Sequence, residues 1–141
     1  GVHFRIACPD GYLPDPHVWA RAAELSAEHG TKIERFSVPS EAATGADAIY
    51  TDVWMSMGDS EADRSEKIAA LTTYAVTRDL MKLTVADSIF MHCLPAHRGE
   101  EVSAEVIDGE KSVVWRQAFH RRTTIQALLY HLTKGDLVGN K

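Results

Sequence analysis

The sharpest change of polarity along the chain lies at residues 88–101. An apolar run ends at Met91, and a cluster containing two histidines, a cysteine and an arginine follows it directly. This pattern is typical of a buried strand that brings reactive side chains to the carboxyl end of a parallel sheet, where open α/β folds bind ligands. We therefore predict a strand over 87–92 and a functional loop over 92–101.

The remaining apolar positions alternate between strand-like and helix-like spacing. Further strands are predicted over 2–8, 31–38, 47–51 and 112–115. Helices are predicted over 16–29, from 39 to about 45, and over 62–71, 77–83, 103–108 and 117–134. This alternation predicts an α/β fold with a three-layer open parallel sheet, covered by helices on both faces. One domain is expected over 1–134, with a flexible tail over 135–141.

Two helices carry more detailed signals. Asp15 is a good N-cap residue, Pro16 suits the first helical position, and Gly30 follows where a helix should end. The last predicted helix has four apolar residues on one face, which predicts that this stripe packs into the core: Ile125, Leu128, Leu129 and Leu132.

Composition excludes several classes of protein. The 141 residues are 45% hydrophobic and 25% charged, which is ordinary for one globular domain. A net charge of −5 gives no reason to expect nucleic acid or an anionic membrane. No apolar run reaches the roughly 18 residues of a membrane span. Residues 1–5 are not expected to be a signal peptide. The chain lacks an initiator methionine and enters a predicted strand almost at once, so we expect a piece of a longer chain. Cys8 and Cys93 make no disulfide framework, and a reducing cytoplasm is expected.

The first candidate loop follows the strand predicted over 47–51. Asp52 lies just past the strand end, Ser56 offers a hydroxyl, and Gly58 permits a close approach of the backbone. The carboxylate could hold an ammonium group of a ligand through a charge-assisted hydrogen bond. An equally good explanation is that Asp52 and Ser56 cap the next helix.

The second candidate loop has Cys93 at its start. Its thiolate would be the reactive form, and His92, His97 or Arg98 could lower the thiol pKa. Cys93 is then a nucleophile, a metal ligand or a thiol that contacts a ligand, but the histidine and cysteine spacing matches no usual zinc site. Alternatively, Cys93 is a small buried hydrophobic residue, and His97 and Arg98 form a solvated turn.

Arg121 is the third candidate. At the start of the predicted last helix, with Arg122 beside it, it adds positive charge to the positive helix pole, which is favourable only if a bound anion is shared. A solvated arginine is the alternative. Neither a Gly-x-Gly-x-x-Gly sequence nor a Walker A sequence follows a strand, so a nucleotide site is disfavoured.

Two longer motifs resemble the signatures of the ornithine carbamoyltransferase family. They are Asp-Val-Trp-Met-Ser-Met-Gly at 52–58 and His-Cys-Leu-Pro-Ala-His-Arg-Gly-Glu-Glu at 92–101. The flanking sequences at 11–16 and 106–109, and Gln117-Ala118 ahead of Arg121, agree with the same family. The resemblance covers the family's carboxyl-terminal, ornithine-binding domain, which implies a Rossmann-like α/β fold.

The resemblance implies roles for individual residues. Asp52 and Cys93 would receive the side-chain amine of ornithine, Ser56 and Met57 would hold its amino-acid end, and carbamoyl phosphate would contact Cys93, Leu94 and Arg121. A carboxylate beside a thiolate could position the amine and relay the proton that it must lose. The family transfers a carbamoyl group from carbamoyl phosphate to ornithine, as a homotrimer, without metal or organic cofactor.

Two departures from the family pattern affect the expected activity. The Ser-Thr-Arg-Thr phosphate loop of the family's first half is absent, so this chain alone is expected to be inactive. Phe119 and His120 also replace the acidic and amide residues that usually precede the last arginine. Alternatives are a carbamoyltransferase for another amine such as putrescine, or an α/β binding module without catalysis. The intact sequence at 56–58 favours ornithine over a diamine.

Overall fold

The four strands in the described part of the chain pair in parallel and form two ladders. The computed structural model describes residues 1–55 and 60–134. In this part of the chain, β1 pairs with β2 and β3 pairs with β4. The strands are β1 Phe4–Ala7, β2 Ile33–Phe36, β3 Ala48–Thr51 and β4 Ile89–His92. The four strands lie where the sequence predicts them, although each is shorter than the predicted range.

Helices lie on both sides of these strands. Helix α1 packs against β2, α2 contacts β1 and β2, and α6 packs against β4. Their bounds are α1 Pro16–Glu28, α2 Pro39–Ala43, α3 Glu61–Leu71, α4 Arg78–Met81, α5 Ala104–Ile107 and α6 Val114–Lys134. The predicted α/β fold with parallel strands and helices on both faces is confirmed. Within the described residues, its strands form two separate two-stranded ladders, not one continuous ladder.

Helix α1 is defined by local signals at both ends. The Asp15 carboxylate accepts a hydrogen bond from the backbone nitrogen of His17 at 2.8 Å, as expected of an N-cap. Gly30, just past the helix, has a φ of 63°, a left-handed conformation that glycine adopts without a steric penalty. The predicted cap and the predicted end of this helix are confirmed.

The strand predicted over 112–115 is wrong. Ser112 forms an isolated parallel bridge with Phe90, and α6 already begins at Val114. Val114 is fully buried in the cluster of apolar side chains around Phe90. The valine pair at 113–114 therefore starts a helix against β4, because burial of Val114 there outweighs the strand preference of β-branched residues.

The main apolar cluster lies on one face of β4. Its buried members are Val76, Met81, Phe90, Val102, Val106, Ile107 and Val114. This cluster ties α4, α5 and the start of α6 to the strand that leads into the second candidate loop. Among the described residues, no helix combines the length and the apolar character that crossing a membrane requires.

The predicted core stripe of α6 is also wrong. Ile125, Leu128, Leu129 and Leu132 are exposed, with Ile125 at 57% of its full accessible surface. The helix contacts β4 and the loop after it through its first turns, where Val114 is buried. An apolar stripe shows which face of a helix is suited to burial, but it does not show which surface of the molecule covers that face.

Candidate functional site

Asp52 and Cys93 meet at the carboxyl end of the β3–β4 ladder. Thr51 pairs with His92 in the ladder, so the residue after each strand emerges at the same level. The Cys93 thiol donates a hydrogen bond to Asp52 Oδ1, with sulfur and oxygen 2.8 Å apart. The same oxygen accepts from the backbone nitrogen of Val53 at 2.7 Å. The structure thus brings together the two side chains that the sequence places at neighbouring strand ends.

A buried pair, His92 and Glu101, lies next to the Asp52–Cys93 contact and holds the loop that begins at Cys93. Both side chains are almost fully buried, and His92 Nε2 lies 3.3 Å from Glu101 Oε1. His92 Nδ1 accepts a hydrogen bond from the backbone nitrogen of Leu94 at 2.8 Å. In a neutral ring, Nε2 must then carry the proton, and its 3.3 Å contact with Glu101 lacks the geometry of a hydrogen bond. Glu101 Oε1 accepts a hydrogen bond from the backbone nitrogen of His97 at 2.5 Å, so one carboxylate contacts the loop at both 92 and 97.

The backbone turns sharply at Leu94. Leu94 has a φ of 56°, and the Leu94–Pro95 peptide bond is cis. A left-handed conformation costs a side chain with a Cβ roughly 1–2 kcal/mol, and such strain collects at functional sites. Leu94 is held there by its hydrogen bond to His92 and by packing against the main apolar cluster.

Helix α6 contributes two further side chains. Arg121 donates a hydrogen bond from one guanidinium nitrogen to the carbonyl oxygen of Cys93, at 2.8 Å. Gln117, one helical turn earlier, accepts from the backbone nitrogen of His92 at 3.1 Å. The prediction that Arg121 lies at the positive pole of the helix is wrong, because α6 begins at Val114, about two turns before it. Its guanidinium is placed by Cys93 and does not depend on the helix dipole.

The environment of Cys93 favours the protonated thiol over the thiolate. Burial raises the pKa of Cys93, the hydrogen bond and negative charge of Asp52 raise it further, and a hydrogen bond from Tyr50 acts weakly in the opposite direction. The predicted lowering by His92, His97 or Arg98 is wrong. Arg98 binds Asp108 through two hydrogen bonds, and His97 faces Glu101. The sequence shows which charges are near in the chain, not which charges face the sulfur.

Replacing Asp52 by asparagine is expected to make Cys93 more reactive. The substitution removes a negative charge and a strong acceptor, so the thiol pKa falls and the thiolate fraction rises at about neutral pH. Alkylation by iodoacetamide, followed by mass spectrometry of the two cysteine peptides, measures this rate. Buried Cys8 serves as the internal reference in each sample. An unchanged or slower rate at Cys93 would contradict this account of the thiol.

Two cavities lie beside these residues. One, of about 370 Å³, opens between the carboxyl ends of β1 and β3, and Cys8, Asp52, Trp54 and Tyr74 are among its lining residues. The other, of about 540 Å³, lies between β4 and α6, with Met91, Gln117 and Arg121 in its lining. The hydrogen bonds of Cys93 to Asp52 and to Arg121 connect the two linings. A small polar ligand in either cavity could therefore contact Asp52 or Arg121, the two residues whose hydrogen bonds meet at Cys93.

Ser56 and Met57 lie outside the described residues. Among the residues that are described, His97, Glu100 and Glu101 form a group whose possible ligand atoms lie within 4.8 Å of one another. Glu100 is paired with Arg64, and Glu101 faces the buried His92, so both carboxylates already have structural partners. The contacts of Glu101 with His92 and with the backbone of His97 were not predicted from the sequence, because only the fold shows that this glutamate is buried.

A carboxylate, a thiol and a guanidinium at the carboxyl edge of parallel strands define an α/β ligand-binding domain. Comparison with known proteins gives the family. Residues 1–132 match the model of the aspartate/ornithine carbamoyltransferase family, Asp/Orn binding domain. The chain belongs to this family, and the predicted resemblance is confirmed.

Individual relatives agree with this assignment. The chain is 45% identical over 137 residues to ornithine carbamoyltransferase from Methanothermobacter thermautotrophicus, a match covering 97% of this chain and 45% of that protein. The solved structure of ornithine carbamoyltransferase from Pyrococcus furiosus is 46% identical, with a TM-score of 0.85, over 92% of this chain and 41% of the other. An N-acetyl-L-ornithine transcarbamylase structure is 26% identical with a TM-score of 0.73, over 86% and 37%. The chain therefore spans less than half the length of these relatives.

Proposed function

We propose that the chain is the ornithine-binding half of an ornithine carbamoyltransferase, acting in the cytoplasm. The whole enzyme would transfer a carbamoyl group from carbamoyl phosphate to the side-chain amine of ornithine, giving citrulline and phosphate. The observation that carries the proposal is the 2.8 Å hydrogen bond between Cys93 and Asp52 at the end of two paired strands. Both cysteines are free, which suits a reducing compartment.

In this proposal the amine is bound and deprotonated beside Asp52. The Asp52 side chain is exposed and accepts hydrogen bonds, so it can hold the ammonium group of ornithine by a charge-assisted contact. The amine must lose a proton before it can attack the carbamoyl carbon, and the Asp52 carboxylate, which already accepts a hydrogen bond from the Cys93 thiol, would receive it. Ser56 and Met57 are assigned the amino-acid end of ornithine on the motif alone.

Carbamoyl phosphate would require groups from another part of the enzyme. Arg121 holds the Cys93 carbonyl and offers one positive charge next to the site, whereas a phosphate group carries nearly two negative charges at pH 7. We therefore expect no turnover by this chain alone. Arg121 would complete a phosphate site that other residues of a full-length relative begin.

Calorimetric titration of the chain with ornithine tests the proposal. Ornithine is expected to bind, and putrescine, which lacks the amino-acid end, is expected to bind far more weakly. Asp52→Asn should weaken ornithine binding by about tenfold or more, because a hydrogen bond between charged groups contributes roughly 1.5–3 kcal/mol. Asp87→Asn is the matched control, since Asp87 precedes β4 and lies at the opposite, amino edge of the same ladder.

Equal affinity in the two variants would contradict the assigned role of Asp52. Stronger binding of putrescine or of N-acetylornithine than of ornithine would reject ornithine as the substrate. If titration of the chain alone with ornithine gives no heat of binding, the titration is repeated in the presence of a separately expressed amino-terminal half of a relative. Failure to bind in that mixture as well would leave a non-catalytic module as the better description.

A further inference from the structure

Three residues of the second loop bring possible metal ligands together. His97, Glu100 and Glu101 each have a ligand atom within 4.8 Å of those of the other two. A tight turn places them, because the backbone nitrogen of Glu100 donates to the His97 carbonyl oxygen at 3.1 Å and Gly99 has a φ of 90°. Glycine adopts this conformation without a steric penalty, so the chain folds back and brings both glutamates beside His97.

Each glutamate uses only one carboxylate oxygen for its structural contacts. Glu101 Oε1 accepts from the backbone nitrogen of His97 and lies beside His92 Nε2. Glu100 Oε1 pairs with Arg64. The second oxygen of each carboxylate, Oε2, is buried and has no hydrogen-bond partner among the described residues. Both glutamates therefore keep one buried oxygen that can ligate a cation.

The second oxygen of Glu101 is the observation that indicates a ligand. The Glu101 side chain is fully buried, and its Oε2 lies 3.9 Å from Nδ1 of the His97 ring. That distance is too long for a hydrogen bond. A buried carboxylate oxygen without a partner has lost its hydration and gained no contact in return, so a cation between these atoms would offset the cost of burial.

An ion such as zinc fits the distances and the kinds of donor atom. Zinc binds imidazole nitrogen and carboxylate oxygen at about 2.0–2.2 Å, so it can join atoms up to about 4.2 Å apart. The separation of His97 Nδ1 from Glu101 Oε2 is within this range. Since no separation in the group exceeds 4.8 Å, shifts of about half an ångström would complete the set, and the half-exposed His97 ring can make them. One imidazole with two carboxylates suits zinc better than calcium or magnesium, which prefer oxygen ligands alone.

We propose that His97, Glu100 and Glu101 form a binding site for a divalent cation of the zinc class. His97 Nδ1 and the Oε2 atoms of both glutamates are its ligands, and water fills the open position. The ion is not a cofactor of the proposed transfer reaction. It joins the turn at 97–100 to the buried Glu101 and so stabilises the loop that begins at Cys93.

Titration of the metal-free chain with zinc chloride tests this site. Calorimetry should show one zinc ion bound per chain, and binding should raise the Tm. His97→Ala removes one ligand and should weaken zinc binding by about tenfold or more, because even the loss of a residue that supports a metal ligand costs about that much. Glu100→Gln should weaken binding in the same way. His131→Ala is the matched control, because it removes an exposed histidine in the last turn of α6.

Cys93 is the competing zinc ligand in this part of the chain, and two measurements separate it from the proposed site. Cys93→Ser should keep the affinity for zinc. Cobalt(II) in place of zinc should give visible d–d bands without a thiolate-to-cobalt charge-transfer band, because no sulfur is among the ligands. Loss of zinc binding in Cys93→Ser, or a thiolate band with cobalt, would place the metal on the cysteine and overturn the proposed site.

Three other results would also overturn it. They are no zinc binding by the wild-type chain, unchanged affinity in His97→Ala, and equal weakening in His131→Ala. Tighter binding of calcium than of zinc would reject the class of ion. His97→Ala gives the result even if Glu100→Gln does not fold, because the His97 side chain is half exposed. None of these measurements uses ornithine, so ornithine binding without zinc binding would reject this site alone.

Discussion

Replacing Glu101 by leucine is expected to lower the free energy of unfolding by about 3 kcal/mol. The leucine fills a similar volume, but it leaves the backbone nitrogen of His97 without its acceptor and removes the carboxylate that lies 3.3 Å from the buried His92 Nε2. Urea unfolding followed by tryptophan fluorescence measures the change, since the chain has 3 tryptophans.

Glu101→Gln is the matched control for this substitution. Its amide oxygen can still accept from the backbone nitrogen of His97 and keeps a polar atom beside His92 Nε2, so we expect less than half of the loss seen with leucine. If the leucine variant unfolds at the same urea concentration as the wild type, the buried pair does not support the loop. The rate of Cys93 alkylation in both variants shows separately whether the backbone turn at 92–94 is preserved.

Phe90→Ala is expected to cost about 3–5 kcal/mol, as large-to-small changes in well-packed cores do. Phe90 is fully buried at the centre of the main apolar cluster, and its backbone also pairs with β3 and bridges to Ser112. The cavity would open directly beneath the strand that carries Cys93. The same urea experiment measures the loss.

Phe119→Ala provides the comparison for a phenylalanine on the surface. Phe119 on α6 is 52% exposed, and the Arg122 guanidinium lies 5.0 Å from its ring centre. Losing this contact should cost less than about 1 kcal/mol. A cost similar to that of Phe90→Ala would mean that the exposed face of α6 is covered by another surface in solution.

Local sequence signals predicted much of this architecture. The ends of α1 follow from Asp15, Pro16 and Gly30, each of which acts within one turn of its own position. The meeting of Asp52 with Cys93 was predictable from strand ends, because parallel strands place their carboxyl ends at one edge. The ends of α1 are determined by residues close in sequence, and the position of the strand ends follows from the general geometry of parallel sheets.

The errors concern contacts between residues that are distant in the chain. The beginning of α6 depends on Val114 fitting the cluster around Phe90, and the exposure of its apolar stripe depends on which surfaces reach that helix. The pKa of Cys93 depends on Asp52, which lies 41 residues away in sequence. Periodicity cannot supply such information, since it reports the polarity of a face but not its neighbours.

The paired register of β3 and β4 also limits which changes of chain length this domain can tolerate. Inserting one residue within either strand reverses the alternation beyond it, so Asp52 or Cys93 would point to the opposite side of the sheet. The surface turn after Glu28, which joins α1 to β2, can lengthen without this effect. Length variation between homologues should therefore concentrate in such turns, while the spacing from Ala48 to Asp52 and from Ile89 to Cys93 stays fixed.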